Sequence, residues 1–571
     1  MTLRAKPVSG AAGRPGWNSG DRRTFLLNLG FAIAIVGSIL ILVGYTVYSW
    51  YDGHFGAVAT VDGTTITNDQ LRTRYAIENF RIDYTLSRIR TLQAAGRISE
   101  ANATSQIQFL EQRRNSLPAL TVERLIDVAL QAKLAAAEGL SVSEAEIDAQ
   151  LIDEATTEEE RHVWVIEIAP LNDADTGEPG PGEKAVARGK AEKALADLRA
   201  GTSWEDVAKT ASTSASAVQN GDFGWLQLKS GYDESLMAAV FAAAPDEPTG
   251  AIEGADGVLR IGRVTEIASA TVDGTLTDRI LDQEIKVADY REAVRGDLVR
   301  RALSDKIVAD LSAPSEQRQV LQIFLPAETP TPDGVKVRHI LFSPKDDPGA
   351  ATQLPETDPA WSAAKLDAQA AFETLIKDPS TFDGMARTMS DEGSARSSGG
   401  KLPYYAPTSP IDPAFAAAIF KKGLRPGDLI PPFKSQFGWH VVQFMRPYGL
   451  GEKAWIETVR RQALDGTDFA QLARDQGEGP EAPTGGDIGW VAVGQLGDLR
   501  EAPIFSAKVG DMTAVVEIPD EGVYLFKVVA EETRPATREQ IAIFESSGFN
   551  NWYSVRKAAA KIERSGPSSD T

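Results

Sequence analysis

One pattern occurs three times in this chain, and a chain that repeats a framework of nearly a hundred residues must fold as several similar modules. Each copy has an aromatic residue opening a helical turn, a glycine turn 17 or 18 residues later, a phenylalanine, and a glycine that opens a final strand. The first copy runs through Trp204, Gly221-Asp222-Phe223-Gly224, Phe241 and Gly257. The second runs through Phe382, Gly399-Gly400-Lys401-Leu402, Phe420 and Gly438-Trp439-His440. The third runs through Phe469, Gly485-Gly486-Asp487-Ile488-Gly489, Phe505 and Gly522-Val523-Tyr524.

Two copies begin on runs rich in β-branched residues, 161–168 and 335–342, which read as opening strands. The third has no such run before its first helix, 452–464. A candidate lies far upstream, in Arg318-Gln319-Val320-Leu321-Gln322-Ile323-Phe324-Leu325, which resembles Arg161-His162-Val163-Trp164-Val165-Ile166. The second copy is therefore expected to be inserted into the third, between its first strand and first helix. The Pro/Gly-rich connections 326–334 and 447–451 suit an insertion. The competing reading is a third copy that lacks its first strand.

Outside the repeats, apolar residues recur at helical spacing over 68–93, 99–115, 120–139 and 278–313, and Ser141-Val142-Ser143-Glu144-Ala145-Glu146 opens a further helix. A last amphipathic helix is expected over 537–563, and 564–571 reads as a disordered tail. From 24 to 51 no residue is charged, and at about 1.5 Å per residue that run is longer than the roughly 30 Å of a bilayer core. Arg4, Lys6, Arg14, Arg22 and Arg23 precede it against Asp21 alone. The basic end is thus expected inside and the bulk of the chain outside, with Trp50 and Tyr51 at the far interface. A cleaved signal peptide ending near Ala57-Val58-Ala59 and a buried helix are the alternatives.

The net charge is −21, and the first 23 residues contribute +4, which leaves about −25 on the remainder. Such a body repels phosphate backbones, which argues against nucleic acid as a partner. The chain has no cysteine, so disulfides, thiolate metal sites and cysteine nucleophiles are absent. It also lacks His-Glu-x-x-His, Gly-x-Ser-x-Gly and phosphate-loop motifs, which disfavours a metal hydrolase or nucleotide enzyme.

Three ordered motifs in the second copy carry a family resemblance. Val337-Arg338-His339-Ile340-Leu341, then Ser390-Asp391-Glu392-Gly393-Ser394-Ala395 followed by Gly399-Gly400, then Ser435-Gln436-Phe437-Gly438-Trp439-His440-Val441-Val442 resemble the opening strand, central loop and closing strand of parvulin-type peptidyl-prolyl isomerases. Residues 58–63 and the helices after them look like the N-terminal chaperone domain of bacterial SurA, PrsA and PpiD foldases, and the anchor is most similar to PpiD. The resemblance implies an α+β chain with an N-terminal transmembrane helix, a helical SurA-like chaperone domain and three parvulin-like antiparallel-sheet domains, each four-stranded and wrapped by helices. On this reading 1–23 is a basic tail and 24–51 the span. Helices of the chaperone region fill 56–158 and 267–317. Parvulin-like domains occupy 159–266, 335–446, and 318–326 with 452–531.

By resemblance, His339 and His440 would share a hydrogen-bond network, with Asp391 or Glu392 facing the substrate carbonyl and Ser390 and Ser394 completing it. Leu402, Ile411 and Phe415, with Phe420 and Phe437, would line the prolyl pocket. No cofactor or metal is implied. The first and third copies are expected to hold Val165 and Leu259, and Gln322 and Tyr524, at the positions of the two histidines. A satisfied pair of core histidines is the structural alternative. The family's Gly-Asp-Leu-Gly turn reads Gly400-Lys401-Leu402-Pro403 here, and Pro403 holds Leu402 to extended angles. The implied function is prolyl isomerisation and chaperoning of unfolded or newly exported polypeptides with X-Pro bonds, from a single-pass position in the bacterial cell membrane. A non-catalytic holdase is the alternative, and the oligomeric state is left open.

Overall fold

The computed structural model describes residues 38–51, 53–172, 179–214, 219–327, 331–449 and 451–565. The chain divides into two compact units, residues 1–303 with 560–571, and residues 304–559. The first half of the expected membrane span, 24–37, lies outside the described residues, as do 1–23 and 566–571. Residues 38–51 are helical with exposed side chains. Among the described residues, no helix is long and apolar enough to cross a membrane.

In the first unit, Ala57–Val61 turns back onto Thr64–Thr67 and pairs on its other edge with Ile562–Arg564. Residues 562–564, the first two of them predicted as the end of a helix, are therefore a strand. Asp62 recruits it: its N–H donates to the Lys561 carbonyl and its Oδ1 accepts the Lys561 N–H, each at 2.9 Å. Asn68–Ala94 starts from a capping box of Thr67 and Gln70. Glu100–Ala137 starts from Ser99 and runs unbroken through Pro118, where the sequence predicts two helices. Proline removes one N–H donor, but Leu117, Thr121, Ile126 and Leu130 stay buried along the helix, and burial outweighs the lost bond. Conversely, the run expected over 278–313 is two helices, Leu276–Asp282 and Val287–Ser312. Ile77, Phe80, Ile147, Tyr290 and Val294 form the core of these helices. Beside it, Asp297 takes ion pairs from Arg81 at 2.8 Å, Arg124 at 2.6 Å and Arg74 at 3.3 Å.

The first repeat forms a four-stranded antiparallel sheet in the order Asp222–Gln227, Glu160–Ile168, Leu259–Ala268, Ile252–Glu253. In the second unit, the third repeat has the same order: Asp487–Ala492, Ser315–Pro326, Gly522–Arg534, Val516–Ile518. Its central strand, Ser315–Pro326, thus precedes the whole second repeat in the chain while the rest of its sheet follows.

The second repeat has three strands, Val335–Phe342, Trp439–Pro447 and Leu429–Lys434, instead of the four expected. The fourth survives as isolated bridges of Lys401 to Arg338 and Tyr405 to Val335. Pro403 between them has no N–H to donate, so the ladder cannot continue. The period-two alternation of the opening strand sorts its side chains: Ile340 and Phe342 pack with Ala368, Phe382 and Val441 under the helices, while Val335 and Val337 pack with Phe415 and Val442 on the other face.

One device recurs in all three repeats. The N–H groups of Val165, His339 and Gln322 donate to the carbonyls of Gly221, Gly400 and Gly486 at 2.7, 2.8 and 2.7 Å. Each of those glycines has φ near +80°, and a Cβ on it would lie 2.5, 2.4 or 2.2 Å from the carbonyl oxygen of the same strand residue. Only glycine fits there.

Candidate active site

His339 lies opposite Val442 and His440 opposite Leu341, so the two histidines sit on adjacent strands, two residues apart on one face. Their rings stack with centroids 5.4 Å apart and 16° between planes, and their Nδ1 atoms approach to 3.2 Å. Both are buried, at 3% and 4% exposure. His440 Nε2 is 2.7 Å from the Ser435 hydroxyl. That hydroxyl oxygen accepts the Phe437 N–H at 3.1 Å, in a turn closed by Ser435 N–H to the Gly438 carbonyl at 2.8 Å. At the other end, His339 Nε2 lies 2.8 Å from Glu392 Oε2. The ring N–H direction misses that oxygen, so the pair is a close polar contact rather than an aligned hydrogen bond. The Ser394 hydroxyl donates to the other Glu392 oxygen.

These contacts form a chain whose proton order follows from valence. Two facing Nδ1 atoms need one proton between them, and a carboxylate only accepts. With both rings neutral, His339 carries its proton on Nε2, the nitrogen nearer the acceptor-only Glu392 carboxylate, and accepts at Nδ1. His440 then donates from Nδ1 and accepts at Nε2 from the Ser435 hydroxyl. The contact with His339 holds the Glu392 carboxyl down at about 2 against the pull of burial. Burial, reinforced by the neighbouring His339, pushes His440 down to about 3, and Glu392 only partly opposes it.

The central loop separates the candidates that the sequence leaves open. Glu392 reaches the histidines and Asp391 does not. Asp391 accepts the Ser343 N–H at 2.6 Å while its own N–H donates to the Leu341 carbonyl at 2.8 Å, and burial raises its carboxyl. Ser390 is fully buried and accepts the Leu341 N–H at 3.1 Å, so it pins the loop to the strand. Ser394 acts through Glu392.

Beside the histidines is an apolar seat. Phe415 meets His339 edge-on at 5.6 Å and His440 at 5.1 Å, and Phe433 stacks on His440 at 5.3 Å. Leu402, Ile411, Phe420 and Tyr405 pack half-buried against the same cluster. Phe437 is not among them: it is 37% exposed on the closing turn, where its backbone serves Ser435 and Ser343. Ser435, Tyr405 and Phe433 are additions to the expected set. Phe433 could have been found by pairing 429–434 with the closing strand, which sets it opposite His440.

The other repeats fill this place differently. In the third, Gln322 donates to Glu481 at 2.7 Å and Tyr524 stacks on Phe324 at 4.5 Å. In the first, the residue in register with His440 is Arg260, not Leu259, because Glu167 pairs with Arg260. The glycine turn before that strand is one residue longer, which shifts the match. Arg260 is buried among Glu167 at 3.1 Å, Tyr232 at 3.2 Å and Asp256 at 2.6 Å.

The depressed His440 pKa has a stability consequence. The unfolded chain takes up a proton near pH 6.5 that the folded second repeat refuses until about pH 3. The contribution is therefore complete above 6.5 and is lost as pH falls toward 3, at about 1.4 kcal/mol per pH unit for one proton. Glu392 adds the same sign below 4.5. Urea midpoints of the second repeat at pH 7, 6 and 5 are expected to fall steadily in the parent and to flatten in His440→Gln.

Comparison with known proteins places these geometries. Residues 339–446 match a family described as PPIC-type PPIASE domain, and residues 151–266 with 452–532 match a second family of the same description. A chaperone SurA of Nitrosococcus oceani is 24% identical over 364 residues, covering 62% of this chain and 66% of that protein. A chaperone SurA of Methylobacillus flagellatus is 23% identical over 311 residues, covering 48% and 68%. The chain thus spans about two thirds of the length of these curated relatives. The crystal structure of PrsA from Bacillus subtilis is 18% identical, with 44% of this chain and 93% of that chain covered at a TM-score of 0.15.

Proposed function

This chain belongs to the parvulin and SurA-like foldases, and from that premise we propose that its second repeat isomerises X-Pro bonds in unfolded polypeptides. The observation that carries the reading is the buried His339–His440 pair beside the Phe415 seat, a combination that the first and third repeats replace with Val165 and Arg260, and Gln322 and Tyr524. Rotation about an X-Pro amide crosses a barrier of roughly 18–20 kcal/mol and takes about 10–100 s unaided. No bond breaks, so the site needs no nucleophile, only a surface that fits the twisted amide better than either planar form. Leu402, Ile411 and Phe415 offer an apolar seat for the pyrrolidine ring. The Ser435–His440–His339–Glu392 chain supplies a fixed polar field beside it, and the two histidines act as one hydrogen-bonded unit.

In this reading the first and third repeats and the N-terminal helices hold unfolded chains. The uncharged run 24–51 anchors the protein in the cytoplasmic membrane, basic tail inside, so that its clients are newly exported polypeptides. A non-catalytic holdase is the second reading, favoured by the absence of the histidine pair from two of the three repeats.

The full chain is expected to accelerate cis–trans exchange in a proline tetrapeptide, and His440→Ala is expected to lower kcat/KM roughly 10- to 100-fold, the cost of one buried hydrogen-bonding partner. A parent rate at background would sink the enzyme reading and leave the holdase. Carbonate-resistant sedimentation with membranes, lost on deleting 1–51, tests the anchor in the same preparations.

A further inference from the structure

The family's acidic turn is basic here, and Lys401 is one of four cations of the second repeat that are buried against the third. Lys336 and Arg338 are each 3% exposed and Arg446 1%. Lys336 Nζ is 2.7 Å and Arg446 Nη2 3.2 Å from Glu478, and Arg338 Nη1 is 2.8 Å from Asp475. Lys401 Nζ donates to the Arg474 carbonyl at 2.6 Å, in the last turn of the helix Phe469–Gln476, where the backbone is electron-rich. All four cations thus converge on residues 474–478 of the third repeat.

Two of these cations lie one residue from the site. Arg338 precedes His339 and faces the opposite side of its strand, where its guanidinium covers the Phe382 ring at 4.4 Å. Lys401 stands between Gly400, whose carbonyl takes the His339 N–H, and Leu402, which packs in the prolyl seat. Removing the partner of a buried cation leaves an uncompensated charge and strongly favours states that let water reach it. Arg338 lies on the strand Val335–Phe342, so such opening moves His339 with it.

We infer that Asp475 and Glu478 of the third repeat are positioning residues for the second repeat's site, acting through Arg338, Lys336 and Arg446 to hold the strand that carries His339 in register. The inference rests on the isomerase reading for its kinetic arm alone. The third repeat thereby becomes a structural cofactor of the second, and the histidine-bearing repeat is complete only in its host.

The test uses the full chain with Asp475→Asn, Glu478→Gln and both together. Amide exchange over 335–342 is expected to quicken roughly tenfold in each single variant and more in the double, as for loss of a buried charge partner. Exchange over 315–326 should stay unchanged, showing the third repeat intact. Isomerisation should fall through kcat with KM held, and Asp475→Glu should restore most of it. Unchanged exchange over 335–342 in the double variant overturns the lock, whether or not the parent is active. Quickened exchange with unchanged kcat overturns the positioning role. A parent without isomerase activity defeats the function reading and leaves the exchange arm to decide the lock.

Discussion

Phe415→Ala is expected to destabilise the second repeat by about 3–5 kcal/mol, the usual cost of deleting a buried phenylalanine ring, and to reduce isomerisation at least roughly 100-fold, the equivalent of about 3 kcal/mol. The ring is 6% exposed and touches both histidines, Tyr405 and Phe433. Its removal opens a cavity in the seat and frees two imidazoles that it now holds edge-on. Phe437→Ala is the contrast, because that side chain is half exposed and outside the cluster, and its loss should stay within about 0.5 kcal/mol. Urea unfolding and the tetrapeptide assay on both variants read the difference. Equal effects at the two positions would refute the placement of the seat.

Gly400→Ala is expected to cost the second repeat roughly 2–4 kcal/mol, combining a left-handed backbone with a steric clash. A Cβ at Gly400 would sit 2.4 Å from the His339 carbonyl oxygen, and φ is +83°. The N–H of His339 also donates to Gly400, so the substitution pushes the strand that carries His339. Gly393→Ala, with open space at its Cβ, should be near neutral. A Gly400→Ala midpoint equal to the parent's would show that the turn relaxes freely.

Much of the framework is legible in sequence because it repeats. The glycines at 221, 400 and 486 stand out three times for one steric reason, and the β-branched runs at 161–168 and 335–342 form strands where alternation puts them. The pairing of Ser315–Pro326 with Gly522–Arg534 leaves only a faint trace, a likeness between two strand patterns, since hydrogen bonds between distant segments impose no local spacing. What escapes the sequence depends on register or on turn length. Arg260 rather than Leu259 faces Glu167 because one hairpin is a residue longer. Asp391 and Glu392 are adjacent and chemically alike, and only the turn of the loop sends one to Ser343 and the other to His339. Ser435 is five residues from His440, a separation that becomes contact through the tight turn at Gly438. Pro403 was visible as a departure, but its effect, a sheet of three strands with two bridges, needs the whole ladder to be seen.

The insertion also fixes an order of assembly. Ribosomes deliver Ser315–Pro326 first, then the entire second repeat, and only much later the strand Gly522–Arg534 that lies beside it. Closing so long a loop is slow relative to local contacts, so the guest sheet gathers while its host still lacks a centre partner. Its four cations then wait in water until the helix Phe469–Gln476 arrives to receive them. Maturation thus closes in chain order: residues 474–478 shut the guest's charges away, and Gly522–Arg534 then completes the host's sheet.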